Sequence, residues 1–246
     1  MSYLILGASS GLGKELAYIL AKNSNDLIII SRDERDLRAI KSDLEIKFKI
    51  TVKYFVVDAS SFDEIKKFLH SNSILLSEIQ GILFPAGMTE SRDVISNDMS
   101  ASNSLIQANM GVVVYFLSKI FPIFMKKNRG VIVGFGSVSS TIGRDVNTVY
   151  AASKRGLESL FESLAISAIP SKLKIQFYTI GYLDTNLSYG KKLLLPKGST
   201  KKLAKIVYKN LNKNYKKVYY PSWWYVIAII IKILPFSLIR YIYKFL

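Results

Sequence analysis

Seven short apolar runs, alternating with helix-like stretches over the first 220 residues, constrain this chain more than any other feature. They fall at 3–6, 27–31, 52–57, 81–84, 131–135, 174–179 and 217–220 and are rich in Ile, Val, Phe and Tyr. Runs of this length and composition predict strands buried on both faces. Between them, 12–22, 34–45, 62–69, 102–121, 150–168 and 200–211 carry helical periodicity. Strand–helix alternation predicts an α/β fold: a doubly wound, Rossmann-like parallel sheet with helices on both faces. No linker divides the 246 residues, so residues 1–220 are expected to form one domain and 221–246 a C-terminal helical extension. In such sheets ligands bind beyond the carboxyl ends of the strands, where the strand order reverses. The residues at those ends therefore matter most.

After the first run comes Gly7-Ala8-Ser9-Ser10-Gly11-Leu12-Gly13, joining strand to helix. Glycines at i, i+4 and i+6 permit a tight turn and a close backbone approach to a pyrophosphate. The helix that follows offers free N–H groups to phosphates. The second run ends in Ser31-Arg32, with no acid at its tip, which favours NADP over NAD; Asp33, directly after, cuts the other way. Asp58, after the third run, can either accept from an adenine amino group or cap the next turn.

Tyr150-Ala151-Ala152-Ser153-Lys154 places a phenol and an ammonium at i and i+4, on one helical face. A nearby ammonium is expected to lower the tyrosine pKa and fit it for proton transfer. Ser137, just past the fifth run, can hold a substrate oxygen beside the phenol. Asn109 is a polar residue in a long apolar helix; it either anchors a water near Lys154 or satisfies a buried backbone group.

From residue 1 to about 220 the chain resembles the compact short-chain dehydrogenase/reductases. The resemblance implies a ketone/alcohol oxidoreductase using NAD(P). It implies cofactor contacts at Gly7, Ser9, Ser10, Gly11, Leu12, Gly13, Arg32, Asp58, Ala86, Gly87, Tyr150, Lys154 and Thr185. It implies a catalytic tetrad of Asn109, Ser137, Tyr150 and Lys154, and pairing into a homo-oligomer. Three positions depart from the family pattern: Leu6 replaces a threonine, Phe84-Pro85-Ala86-Gly87 replaces Asn-Asn-Ala-Gly, and Ile180-Gly181 replaces Pro-Gly. They touch cofactor framing rather than proton transfer.

The absence of cysteine excludes disulfides and thiolate metal sites, and the single histidine, His70, is expected to be structural or solvent-facing; no metal is expected. Charge is uneven. Residues 1–184 hold 21 Lys/Arg and 18 Asp/Glu, whereas residues 185–246 hold 13 Lys/Arg and no acid. The basic quarter includes Lys191, Lys192, Lys197, Lys201, Lys202, Lys205, Lys209, Lys213, Lys216 and Lys217. The last 26 residues are dense in Trp, Ile, Tyr and Phe, interrupted by Lys232, Pro235 and Arg240. That pattern reads as a kinked interfacial helix with Trp223, Trp224 and Tyr225 at the headgroup level; packing on a partner subunit and true spanning are the competing readings. The density of Trp and Ile argues for lipid and against nucleic acid. Met1-Ser2 leads straight into a run too short for a secretory signal, so a cytoplasmic protein, peripheral on the inner face of the membrane through 187–246, is expected.

A membrane-bound reductase implies a hydrophobic or lipid-linked ketone. The segments Gly181-Tyr182-Leu183-Asp184-Thr185-Asn186-Leu187 and Lys191-Lys192-Leu193-Leu194-Leu195-Pro196 also resemble, briefly, reductases of polyprenyl-phosphate-linked keto-pentoses. A 3-keto-acyl or keto-sphingoid lipid reductase is the alternative. A non-catalytic NADP-binding scaffold or redox sensor is an alternative of another class.

Overall fold

The computed structural model describes residues 2–89, 93, 99–185 and 195–242. Seven strands, β1 (Ser2–Leu6), β2 (Asp26–Ser31), β3 (Val52–Val56), β4 (Gly81–Phe84), β5 (Val131–Ser137), β6 (Lys174–Ile180) and β7 (Lys216–Tyr220), form one sheet. Its order is β3-β2-β1-β4-β5-β6-β7, with every neighbouring pair parallel. The strand order reverses between β1 and β4, and the crevice of a doubly wound sheet opens there. The doubly wound expectation is met.

Side-chain alternation along the strands separates two core layers. Leu4 and Leu6 of β1 point into the layer built with α3 (Phe62–Ser71), α4 (Ser73–Glu78), α6 (Val112–Lys127) and α7 (Thr148–Ser167). Tyr3 and Ile5 point the other way, toward α1 (Gly11–Lys22), α2 (Glu34–Phe48) and α8 (Thr200–Asn210). Helix α5 (Met99–Ile106) runs into α6 through a π-helical turn, Gln107–Gly111. Two short helices close the described chain, α9 (Trp224–Ile233) and α10 (Phe236–Ile242).

Three differences from the sequence reading have physical causes. Helix α6 continues through Pro122 to Lys127, beyond the expected stop at 121. Pro122 and Ser118, whose carbonyl loses its i+4 donor, are both exposed, so water can take that place. Helix α4 went unread because it is only six residues long and buries a single side chain, Leu76. The tail breaks at Leu234, whose ψ of 133° precedes Pro235, into two helices rather than one kinked helix.

Among the described residues, the run from Met99 to Lys127 is long and apolar enough to cross a membrane by length and composition alone. Its buried residues, including Phe116, Ile120 and Phe124, belong to the core layer under α3 and α7, which is the packing of an interior helix.

Candidate active site

The carboxyl ends of the strands surround a cleft of about 680 Å³. Its first wall is the glycine loop. The Gly7 and Ala8 amides donate to the Ile30 carbonyl, which folds the loop back over β2. Gly7 holds φ +93°, in the region that favours glycine, and a Cβ on Gly13 would lie 1.9 Å from the Gly7 carbonyl oxygen. Helix α1 starts here behind Ser10, whose side chain makes no cap hydrogen bond, and no acid lies in the first turn. The first amides of α1 are thus left for an anion. Thr185 sits over the loop, its Cγ2 3.3 Å from where a Gly11 Cβ would be.

Arg32 and Asp58 line the far end. Arg32 is exposed and makes no ion pair among the described residues. Asp33, the residue that clouded the cofactor reading, spends its carboxylate as the N-cap of α2, accepting from the Asp36 amide at 3.0 Å. Asp58 does cap the next turn, one oxygen accepting from the Ser60 amide and hydroxyl at 2.8 and 2.7 Å, and it also lines the cleft. The capping reading of that residue holds. Leu6, Ser9, Ser10, Leu12, Ala86 and Gly87 line the same cleft.

The chemical end is assembled from β5 and α7. Ser137 closes β5, and Tyr150 is the third residue of α7 with Lys154 one turn later. All three line the cleft. The Lys154 Nζ donates to the Phe135 carbonyl at 3.2 Å and lies 5.9 Å from the Tyr150 ring centre. The Lys154 pKa is depressed to about 8 by desolvation. Desolvation raises the Tyr150 pKa, and a hydrogen bond from Ser137 pulls against that rise. The sequence expectation that Lys154 would lower the Tyr150 pKa is therefore reversed, because removal from water dominates for both groups. The neutral phenol is favoured.

Asn109 sits in the π-helical turn, fully buried. Its amide pairs with the backbone of Met88 in both directions, Nδ2 donating to the carbonyl at 2.9 Å and Oδ1 accepting from the amide at 3.0 Å. The backbone-satisfying reading holds for this side chain. Asn109 thereby clamps the Gly87-Met88 segment against Lys154, and a Cβ at Gly87 would lie 3.2 Å from Oδ1 and 3.4 Å from Nζ.

Four residues at the site lie outside those the sequence places there. Asp93, buried at 4 % exposure, accepts from the Val149 and Tyr150 amides at 2.9 and 2.8 Å, and its own carbonyl accepts from Thr148. It caps α7 from a distant loop, because the local N-cap, Asn147, is left-handed at φ +55° and makes no side-chain bond. Arg144 lines the cleft with no ion pair among the described residues. Trp224 and Ile231 of α9 also line it. Trp224 corrects the tail reading. It is 9 % exposed, stacked on Trp223 at 4.6 Å and edge-on to Tyr182 at 5.7 Å, rather than presented to headgroups. Its aromatic setting is legible in sequence, but which side of α9 faces the body is not.

One further expectation for the tail changes. Lys217 is not a free cation: it bridges Glu158 and Glu162 of α7, the latter at 3.0 Å. Lys191, Lys192 and the rest of 186–194, with 243–246, lie outside the described residues. His70 is exposed at the end of α3, and no cluster of metal-ligating side chains occurs among the described residues.

A parallel sheet with a phosphate-ready turn after β1 and a Ser/Tyr/Lys group after β5 defines an NAD(P)-dependent oxidoreductase of alcohol and ketone groups. The family model for short chain dehydrogenases matches residues 2–192, and the chain belongs to that family. A very-long-chain 3-oxoacyl-CoA reductase of Debaryomyces hansenii is 29 % identical over 196 residues, covering 74 % of this chain and 55 % of that protein. An NADP-dependent 3-hydroxy acid dehydrogenase of Schizosaccharomyces pombe is 27 % identical over 187 residues, covering 75 % and 72 %. A short-chain dehydrogenase from Sphingobium yanoikuyae, solved in complex with NADPH, superposes with TM-score 0.81 at 23 % identity, covering 89 % of this chain and 87 % of that one.

Proposed function

We propose that the protein reduces a hydrophobic ketone to a secondary alcohol with NADPH, using Asn109, Ser137, Tyr150 and Lys154. The observation that carries this reading is the convergence of Ser137, Tyr150 and Lys154 on the same cleft as the glycine loop. The residues present fit a nicotinamide dinucleotide: an uncapped helix start for the pyrophosphate and the Gly7–Gly13 approach. Arg32, with Asp33 turned away to cap α2, supplies a cation for a 2′-phosphate, which favours NADP.

The hydride for the carbonyl carbon comes from the nicotinamide cofactor. The protein's own part is to hold the carbonyl oxygen and deliver a proton to it. Ser137 donates to that oxygen, and Tyr150, kept protonated by burial, releases its phenolic proton as the carbonyl becomes an alcohol. The phenolate left behind is stabilised by the ammonium of Lys154, one helical turn away. Asn109 acts through Met88, keeping the Gly87 segment closed on Lys154.

At the substrate end, Ile142, Leu183, Trp224 and Ile231 offer an apolar wall, and Arg144 and Asn147 a polar one. That division suits a ketone joining a long apolar chain to a polar or anionic group. A polyprenyl-phosphate keto-sugar has this form, and so does a 3-oxoacyl chain, which the name of the Debaryomyces relative favours as the second reading. The basic, apolar tail suits docking on the membrane that would hold such a substrate. Exposed Ile106, Val114 and Ile166 on the helices flanking the site suit a homo-oligomer.

The test is oxidation of NADPH, against NADH, by the purified protein with a membrane-lipid extract. Tyr150→Phe is expected to lower turnover at least about a hundredfold while leaving NADPH binding unchanged. Cofactor binding with no wild-type turnover across broad extracts would favour the scaffold alternative.

A further inference from the structure

We propose that α9 has two working faces: one forms the wall of the substrate end of the cleft, and the other lies in an anionic lipid bilayer. Substrate then enters the cleft from the bilayer, as a membrane-dissolved amphiphile whose ketone sits near the headgroups. The proposal rests on the reductase reading of the cleft.

The sequence of α9, Trp-Tyr-Val-Ile-Ala-Ile-Ile-Ile-Lys-Ile, carries one charge in ten residues. Trp224, Ala228 and Ile231 recur at i, i+4 and i+7 and so share one face. Trp224 and Ala228 are buried, and Trp224 and Ile231 line the cleft. This face is firmly seated. A Cβ on Gly181 would fall 1.8 Å from the Trp224 indole nitrogen, so only glycine lets the helix approach the loop after β6. The helix also packs on the 3₁₀ turn Val138–Thr141, directly after Ser137. Among the described residues the buried Trp224 indole N–H has no hydrogen-bond partner.

The other face should be polar if it met only water. Instead Ile230 is 52 % and Ile233 75 % exposed, beside exposed Tyr225 and Val226, and exposed Phe236 and Leu238 carry the apolar surface onto α10. A helix apolar on both faces needs a second apolar neighbour. Ten residues rise about 15 Å, half of a hydrocarbon core of about 30 Å, so α9 lies in the interface rather than across it. Charge selects the neighbour. Residues 185–246 hold 13 cations and no acid, and Lys232 and Arg240 are exposed among the apolar residues. A second copy docked face to face would oppose like charges; an anionic leaflet complements them. Only the thickness of one helix, about 10 Å, then separates lipid from the cleft.

The test compares the full chain with an Ile230→Glu/Ile233→Glu variant, which touches neither the cleft lining nor the core. Flotation uses phosphatidylcholine vesicles containing phosphatidylserine. Turnover of NADPH uses a short water-soluble β-keto ester and a palmitoyl-length β-keto ester carried in the same vesicles. The wild type is expected to float and the variant to stay in solution. The variant is expected to keep wild-type turnover of the soluble ketone and to lose about tenfold or more with the vesicle-borne one. A wild type that does not float, or a variant that loses both activities equally or neither, overturns the proposal. So does a variant that becomes a monomer from a dimer while still floating, which would make this face an interface between copies. A wild type that floats yet reduces neither ketone and binds no NADPH counts against the reductase reading itself.

Discussion

Tyr150 stands on the third residue of its helix, a position that frays unless the first amides are satisfied. Asp93 satisfies them from another loop, binding the amides of Val149 and Tyr150. Asp93→Ala is expected to cut kcat by roughly ten- to a hundredfold through misplacement of the phenol, with NADPH affinity nearly unchanged and part of the rate restored in Asp93→Asn. Steady-state kinetics beside cofactor titration separates this from general unfolding. Lys154 makes the second residue-scale case. Its folded pKa of about 8 lies below its ordinary 10.5, so the folded state holds its ammonium at a cost of about 3 kcal/mol below pH 8. Between pH 8 and 10.5 the native protein sheds that proton before the unfolded chain does, and stability rises with pH. Lys154→Met is expected to be inactive, to gain up to about 3 kcal/mol near neutral pH less the lost bond to Phe135, and to show no such rise. Urea unfolding of both proteins at neutral and alkaline pH checks the sign. Of these residues, Tyr150 and Lys154 are legible in the sequence through their i, i+4 spacing. Asp93 is not, because its partner lies 56 residues away.

At the scale of elements, the strands are legible because burial on both faces leaves short apolar runs, and β4 is found with its observed ends. The π-helical turn at Gln107–Gly111 is not, since its residues keep helical periodicity. Nor is the seam between β6 and α8. There Asn210 Nδ2 donates to the Tyr178 hydroxyl at 3.2 Å, that hydroxyl donates to Gln176 Oε1 at 2.9 Å, and Gln176 Nε2 donates to the Asn210 carbonyl. All three residues are buried, so the network must be complete or costly. Tyr178→Phe strips a partner from Asn210 and another from Gln176, and is expected to destabilise the fold by about 2–3 kcal/mol, read from urea unfolding. Polar residues inside apolar elements announce that a network exists; their sequence does not name the members.

For the whole molecule, net charge of +16 is concentrated at one end of the chain, and the structure distributes that end over α8, β7, α9 and α10. Lys217 is neutralised by Glu158 and Glu162, whereas Lys201, Lys202, Lys205 and Lys209 of α8 are exposed. Vesicle binding is therefore expected to depend on anionic lipid, and added salt should reduce it toward the level on pure phosphatidylcholine as screening shortens to about 3 Å at 1 M. Flotation across a salt series measures it. Residual binding in high salt reports the apolar face of α9.

The protein has two tryptophans, adjacent in sequence, stacked on each other and set against Gly181 at the rim of the cleft. All of its indole emission therefore arises at one junction, where the last part of the chain meets the loop after β6. Ordinary fluorescence spectroscopy, without any label, becomes a local gauge of that junction: a shift in the colour of indole emission on adding ketone or lipid reports a changed environment at the start of α9.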